Sequence, residues 1–198
     1  MTGFDPATLA FYGTEAPLYT ASGKWGEAKH LESFLALLTP GASILELGCG
    51  GGTDAAFMAA RGFAVEATDG VPEMAAKAAE VLGKPVRVMR FDQLDSDAAY
   101  DAVVASASLL HVPRQGLPDI LARIRRALVP GGWHIASYKA GGTEGRDRFG
   151  RYFNYLSADQ AEALYRAAGG WQTLSIAPGT GGGYDGVQGP WITVTARK

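Results

Sequence analysis

A chain of 198 residues, 47% of them hydrophobic and 19% charged, is long enough to bury a single core without a staple, and this balance excludes a disordered or fibrous protein. A formal charge of −2 leaves no broad basic field, so attraction to a phosphate backbone is no general source of affinity and nucleic acid is not an expected partner. The single cysteine, Cys49, has no internal disulfide partner, and His30, His111 and His134 lack metal-ligand spacing, so no metal is expected and the usage fits a reducing cytoplasm.

The opening "MTGFDPATLAFYG" has no basic region followed by an apolar stretch, and no later apolar run approaches the ~20 residues that span a bilayer. Neither a signal peptide nor a membrane helix is expected. Residues 1–40 read as an N-terminal helical flank or lid, with "AKHLESFLALLTPG" as its helix. From about residue 43, short apolar or β-branched runs alternate with stretches of helical period, the pattern of βαβ units around a mostly parallel sheet. Strands are expected at Ser43 to Leu47, Phe63 to Thr68, Val86 to Phe91, Asp101 to Ala105 and Trp133 to Tyr138. Between them "TDAAFMAARG", "VPEMAAKAAEVLG" and "GLPDILARIRRALVPGG" read as helices, with Gly62 and Gly83 at helix ends, Pro85 soon after, and "VPGG" closing the third.

After Tyr138 a Gly- and Arg-rich connection, "KAGGTEGRDRFGRYFNY", leads to "LSADQAEALYRAAGGW", where Ser157 and Gln160 stand in capping-box positions. Two further strands, "WQTLSIA" and "WITVTAR", flank the glycine-rich "PGTGGGYDGVQGP". Nothing repeats and no linker separates a second unit. Residues 1–198 are expected to form one domain, with the flank at 1–40 and the core at 41–198.

The stretch "ILELGCGGGTDAA" carries the chemistry. A strand that ends in glycines and runs straight into a helix bares N–H groups at the helix N-terminus and lets a ligand lie on the main chain. Gly48, Gly50 and Gly52 provide that room, with Thr53 where the dinucleotide fingerprint has its last glycine. No G-x-x-x-x-G-K-[ST] is present, which excludes a nucleoside triphosphate loop by motif. Glu46, just before the glycines, disfavours a pyrophosphate and welcomes an ammonium or sulfonium charge. Asp69 ends the second strand, where a carboxylate can take both hydroxyls of a ribose, and Asp92 and Gln93 end the third on the same edge. Cys49 reads as a small loop residue without chemistry, because nothing basic adjoins it.

With Glu46-Leu-Gly48-Cys-Gly50-Gly-Gly52, Asp69, Asp92 and Gln93, "YDAVVASASLLHV" and "LVPGGWHIASYK" in that order, the sequence resembles the class I S-adenosylmethionine-dependent methyltransferases, especially the small single-domain ones that include tellurite-resistance and small-molecule enzymes. The resemblance runs from Tyr12 to the last residue. It implies a Rossmann-like α/β fold, a seven-stranded mostly parallel sheet with helices on both faces and the last strand antiparallel. It also implies S-adenosyl-L-methionine as cofactor, with S-adenosyl-L-homocysteine as product. Gly48 and Gly50 would pack on the methionyl part, Glu46 would engage its amino group, Asp69 the ribose, and Asp92 with Gln93 the adenine. Ser106 to Leu109 would floor the site near the sulfonium, and Leu110 and His111 would stand at the acceptor entrance. "FYGTEAPLY" looks like the family's tyrosine-bearing flank, so Tyr12 and Tyr19 would close over the cofactor.

The resemblance, with the modest acidic charge, implies a small-molecule methyl acceptor reacting at oxygen, nitrogen, sulfur or a metalloid; the oligomeric state, monomer or homodimer, stays open. His111, after the fourth strand, is the candidate general base, since imidazole titrates near neutrality. In "GRDRFGRYFNY", arginines alternate with aromatics, and arginine forks bind carboxylate or phosphate bidentately. Arg148, Arg151, Tyr152 and Tyr155, joined by Tyr184 and Asp185, are therefore the expected readers of a small anionic or aromatic acceptor. Two other readings stay open: a catalytically inactive cofactor-binding module, and an NAD-dependent oxidoreductase, which Glu46 and the missing third fingerprint glycine disfavour.

Overall fold

The computed structural model describes residues 3–21, 29–184 and 186–198. In chain order its elements are α1 (Pro6–Ala21), α2 (Glu32–Leu35), β1 (Ser43–Leu47), α3 (Thr53–Ala59), β2 (Ala64–Asp69), α4 (Pro72–Leu82), β3 (Arg87–Val88), β4 (Tyr100–Ala105), α5 (Leu117–Ala127), β5 (Leu128–Lys139), β6 (Gly145–Arg146), β7 (Tyr152–Phe153), α6 (Ala158–Ala167), β8 (Thr173–Gly181) and β9 (Gly189–Arg197). Seven strands form one sheet in the order β3-β2-β1-β4-β5-β9-β8. Strands β1 to β5 run parallel, and β9 pairs antiparallel with both β5 and β8. The sheet is the one implied by the resemblance.

The apolar runs of β1 and β4 are central because both of their faces are covered, which is what a parallel sheet between helices demands. Side chains alternate along β1, so Leu45 and Leu47 enter one core layer with Ile120, Leu121 and Ile124 of α5 and Tyr165 of α6. Ile44 enters the other, with Met58 of α3, Ala78 of α4, and Phe34 and Leu35 of α2. By the same period of two, Glu46 shares the face of Ile44. An anion is thereby directed under α3.

The edges of several elements differ from the sequence reading. "VPGG" begins β5 rather than ending a helix: the pairing of β5 with β4 shifts between Tyr100 and Ala102, and this irregularity accommodates Pro130 and the positive φ of Gly131. β3 keeps two residues before the chain leaves the sheet for a 3-10 turn at Phe91–Gln93. In the flank, the expected helix begins outside the described residues at Ala28 and shortens to a 3-10 turn, Lys29–Leu31, followed by α2.

The flank's long helix is α1. Asp5 caps it, its Oδ1 accepting from Thr8 N and Thr8 Oγ1 at 2.8 Å each, and Pro6 suits the first turn, where no N–H partner exists. The capping box of α6 is present, with Gln160 N donating to Ser157 Oγ at 3.2 Å and Ser157 N to Gln160 Oε1 at 3.0 Å. The connection holds a two-stranded ribbon, β6 with β7. Among the described residues no helix is long and apolar enough to cross a membrane.

Candidate functional site

A cleft of about 620 Å³, partly open to solvent, lies at the carboxyl edge of β1, β2 and β4 beneath α1. Its inner wall is main chain. Gly48 N and Cys49 N both donate to Thr68 O at 2.9 Å, which folds the loop back on β2. Gly48 has φ +74°, and a Cβ there would stand 2.6 Å from Ser108 Cβ, so both the conformation and the space require glycine. Gly52 opens α3 at φ +83°, and a Cβ on it would stand 3.1 Å from Ala78. α3 and α4 meet closely there.

Carboxylates stand behind this wall. Asp69 Oδ2 accepts from Gly50 N and Oδ1 from Val71 N, each at 2.9 Å, stitching two loops together. Burial pushes its carboxyl up to about 6 against the pull of those bonds. Each oxygen retains further lone-pair capacity for a donor in the cleft. Glu46 is 2% exposed, and its Oε2 has no hydrogen-bond partner among the described residues. Burial first, then the charges of Asp54 and Asp69, push that carboxyl well above its ordinary value. An orphaned buried carboxylate oxygen costs stability until a donor or cation reaches it.

The tip after β3 presents Arg90 and Phe91 to the cleft. Arg90 Nε donates to Asp92 Oδ1 at 3.0 Å, and Gln93 Oε1 accepts from Arg90 N at 2.9 Å. Asp92 and Gln93 therefore stand one step behind Arg90. After β4, Ala107 takes φ +48° and turns Ala107 and Ser108 into the cleft. Leu109 is fully buried in the core, and Ser106 Oγ meets His30 Nε2 at 2.8 Å. Of the expected floor, Ser106 to Leu109, Ala107 and Ser108 border the cleft, while Ser106 and Leu109 do not. The 3-10 turn at Leu109–His111 is the cause, since it points Leu109 inward.

The outer wall is made of side chains. His111 Nδ1 lies 2.6 Å from Tyr152 O and Nε2 lies 2.9 Å from Tyr12 Oη. A carbonyl only accepts, so Nδ1 carries the proton and Nε2 accepts from Tyr12. Burial holds the ring down to about 4, so it is neutral at pH 7. Arg151, 2% exposed, donates from Nη1 to Tyr12 Oη at 3.0 Å and from Nε and Nη2 to Asp147 Oδ2 at 3.0 and 2.7 Å. Phe11, Tyr12, Phe149, Phe153 and Tyr184 surround the guanidinium, with centroids 5.0 to 5.7 Å away.

Of the residues singled out in the sequence, Tyr12, Tyr19, Gly48, Gly50, Asp69 and His111 line the cleft, with Glu46 behind it. The arginine-aromatic group does not line it. Arg151 is committed to Asp147, and Arg148 lies over Phe149 at 4.8 Å. Tyr152 Oη bonds Glu144 and accepts from Arg114 N. Tyr155 packs its ring on Phe153, and Tyr184 Oη donates to Glu15 Oε2 at 3.2 Å. Asp185 lies outside the described residues. Sequence reasoning missed Phe4, Thr8, Leu9, Arg90 and Phe91 as cleft residues. The Asp-Pro pair at 5 and 6 followed by Thr8 is a helix-start signal that places Thr8 and Leu9 on α1.

Residues 44–132 match the family described as "Methyltransferase domain". Among curated proteins, the chain is 40% identical over 104 residues to a protein-L-isoaspartate O-methyltransferase of Gloeobacter violaceus, over 49% of this chain and 50% of that one. It is 29% identical over 96 residues to hemagglutinin 1 of Eikenella corrodens, over 46% and 32%. The chain thus spans half or less of these relatives. Among solved structures, the 1,6-didemethyltoxoflavin-N1-methyltransferase of Burkholderia thailandensis superposes with a TM-score of 0.73 at 24% identity, covering 96% of this chain and 88% of that one. An S-adenosylmethionine-dependent methyltransferase of Methanosarcina mazei gives 0.76 at 16%, over 84% and 97%. A phosphoethanolamine N-methyltransferase of Haemonchus contortus gives 0.75 at 16%, over 94% and 57%.

Proposed function

We propose that this chain, whose residues 44–132 match a methyltransferase domain, is a class I S-adenosylmethionine-dependent methyltransferase that transfers a methyl group from that cofactor to a small-molecule acceptor. The observation that carries the reading is Glu46 Oε2, buried without a partner beside the glycine turn. A ligand that brings an ammonium and a sulfonium offsets the cost of that oxygen. A dinucleotide would set its pyrophosphate against Glu46, Asp54 and Asp69, so the same oxygen argues against NAD.

The residues fit the cofactor in type. Gly48 and Gly50 leave the main chain bare, Glu46 would take the ammonium, Asp69 the ribose hydroxyls, and Arg90 and Phe91, backed by Asp92 and Gln93, would border the adenine. When bound, the cofactor supplies an electrophilic methyl group, and the protein's task is to orient the acceptor and exclude water. Tyr12, Tyr19 and His111 border the remaining space under α1, which suits a molecule small enough to be roofed by one helix. The 1,6-didemethyltoxoflavin bound by the Burkholderia enzyme is such a molecule. With Arg151 held by Asp147, the lining favours an uncharged aromatic acceptor over an anionic one.

Titration calorimetry with S-adenosylmethionine and S-adenosylhomocysteine tests the reading: the wild type is expected to bind both, and Glu46→Gln to bind at least tenfold more weakly. Absence of affinity for either compound would end it. Product detection on a panel of acceptors then separates a catalyst from a module that only binds.

A further inference from the structure

Around the methyl acceptor's end of the cleft, hydrogens are spent on the protein itself. Ser108 Oγ donates to Leu47 O at 2.7 Å, and Thr8 Oγ1 to Asp5 Oδ1 at 2.8 Å. Tyr12 Oη donates to His111 Nε2, because His111 Nδ1–H already faces the Tyr152 carbonyl. Ala107 N donates to Ser137 Oγ at 2.8 Å, and Tyr19 is not free either. What this lining turns toward a ligand is lone pairs. Ser108 keeps the most of them: a hydroxyl oxygen has one hydrogen and two lone pairs, and among the described residues nothing donates to its Oγ. Ser108 also stands where the two ends of the cleft meet. It borders the cleft, a Cβ on Gly48 would lie 3.2 Å from its Oγ, and His111 N donates to its carbonyl at 3.1 Å.

No base is open beside Ser108. The Nε2 lone pair of His111 holds the Tyr12 hydrogen. The carboxylate of Asp69 takes Gly50 N and Val71 N, and it lies under the ribose in the methyltransferase reading. Resting on that reading, we propose that the methyl acceptor is an uncharged aromatic amine, primary or secondary, and that Ser108 Oγ accepts one of its N–H hydrogens.

An uncharged amine brings its own lone pair, so no proton has to leave before it reacts. That lone pair bonds the methyl carbon as the bond from that carbon to sulfur breaks with its pair left on sulfur. Positive charge passes from sulfur to nitrogen, the N–H hydrogens stay on nitrogen, and one of them is lost to water once the product leaves. As charge builds on nitrogen its N–H becomes a stronger donor. The bond to Ser108 Oγ is therefore tighter in the transition state than in the bound amine, and a contact of that kind raises kcat. Other acceptors lose something at this lining. A hydroxyl needs a base to take its proton, a tertiary amine has no hydrogen for Ser108, and a carbonyl or carboxylate sets lone pairs against lone pairs.

The test has two arms on the full chain. In the first, with S-adenosylhomocysteine bound, ligand-observed NMR compares aniline with benzaldehyde, a ring of like size that offers only lone pairs. Aniline is expected to bind at least tenfold more tightly, and Ser108→Ala to bring the two within about threefold. Equal binding of both by the wild type would overturn the proposal. In the second, S-adenosylmethionine is supplied: aniline and N-methylaniline are expected to be methylated, and phenol and N,N-dimethylaniline at least tenfold more slowly. Ser108→Ala is expected to lower kcat on aniline by about 10- to 100-fold, the range of one hydrogen bond to a charged group, while cofactor affinity by calorimetry changes less than threefold. Since alanine also strips the donor from Leu47 O, Ser108→Cys, which keeps a weak donor there, is the second variant, and the same direction of loss is expected of it. Wild-type kcat on aniline in both variants would overturn the proposal. So would phenol or N,N-dimethylaniline turned over as fast as aniline, or no turnover of aniline by a wild type that binds the cofactor. Failure of the wild type to bind the cofactor would instead remove the methyltransferase reading, and the aniline-to-benzaldehyde ratio on the protein alone would still judge the lining.

Discussion

The two walls of the cleft are built by different means. The inner one, from β1, β2 and β4, is main chain held by neighbours close in sequence or in register: Thr68 O binds two loop amides, and Asp69 binds Gly50 N and Val71 N. The outer one joins α1 to the connection after β5 through side chains far apart in sequence. Tyr12 and Arg151 are 139 residues apart, Thr8 and Tyr152 are 144, and Asp5 and Arg146 are 141. The inner wall can recur wherever the local spacing recurs. The outer one depends on a particular set of partners, and this is where an acceptor would be chosen.

Substitutions should separate the two walls, and the largest effect is expected at the inner one. Gly48→Ala meets both the left-handed conformation and Ser108 Cβ at 2.6 Å, so cofactor affinity by calorimetry should fall by more than 10²-fold. An affinity within tenfold of wild type would show that the loop is less tightly set than the contact implies. Next comes Arg151→Ala in the outer wall. It leaves the Asp147 carboxylate, 9% exposed, without its ion, and removing one partner of a buried pair costs about 3–5 kcal/mol. Thermal melting should drop by roughly 10 °C, while cofactor affinity suffers less than in Gly48→Ala.

Glu46→Gln should move stability the other way. The folded-state pKa of Glu46 lies above its ordinary value, so ionisation penalises the folded state progressively as pH rises past the unfolded pKa, and the amide removes that penalty. The unliganded variant should melt higher than wild type at pH 7, with the gain vanishing below about pH 4, even as it binds the cofactor more weakly. The smallest effect is expected for Arg146→Ala, since that side chain is about half exposed and solvent screens the pair. Arg146 beside Asp5 lowers its carboxyl to about 2, so the pair's contribution is present above the ordinary carboxylate range and is lost as pH falls through 2. A melting difference between wild type and variant at pH 7 that persisted unchanged below pH 2 would refute this assignment.

The same contrast explains what could be read from sequence. β1, β2, β4, α4 and α5 follow from periodicity, and Gly48, Asp69 and the tip of β3 from spacing, because each is set within one βαβ unit. The start of β5 was misplaced since Pro130 and Gly131 are helix-ending residues by local rule, and only the irregular pairing with β4 makes room for them in a strand. The arginines were legible as a cluster but not in direction. Arg151 is read as facing a ligand, whereas Asp147, close before it in the chain, takes its fork; the pair was in view, but the direction of the guanidinium is set by Tyr12 of α1 on its other side. Likewise His111 was legible as a candidate base, whereas its Nε2 partner, 99 residues earlier on α1, was not.

The antiparallel placement of β9 bears on how the fold is reached. Its nine register pairs with β8 close a hairpin of consecutive strands, whereas its seven with β5 reach back across the connection and α6, and pairings of that range are slow to form. Until they form, the exposed flank of β5, with Ile135 and Tyr138 on it, is an open edge of the kind that recruits other chains. Refolding yield should therefore fall steeply with protein concentration, and amides of β9 should gain exchange protection after those of β1 and β4.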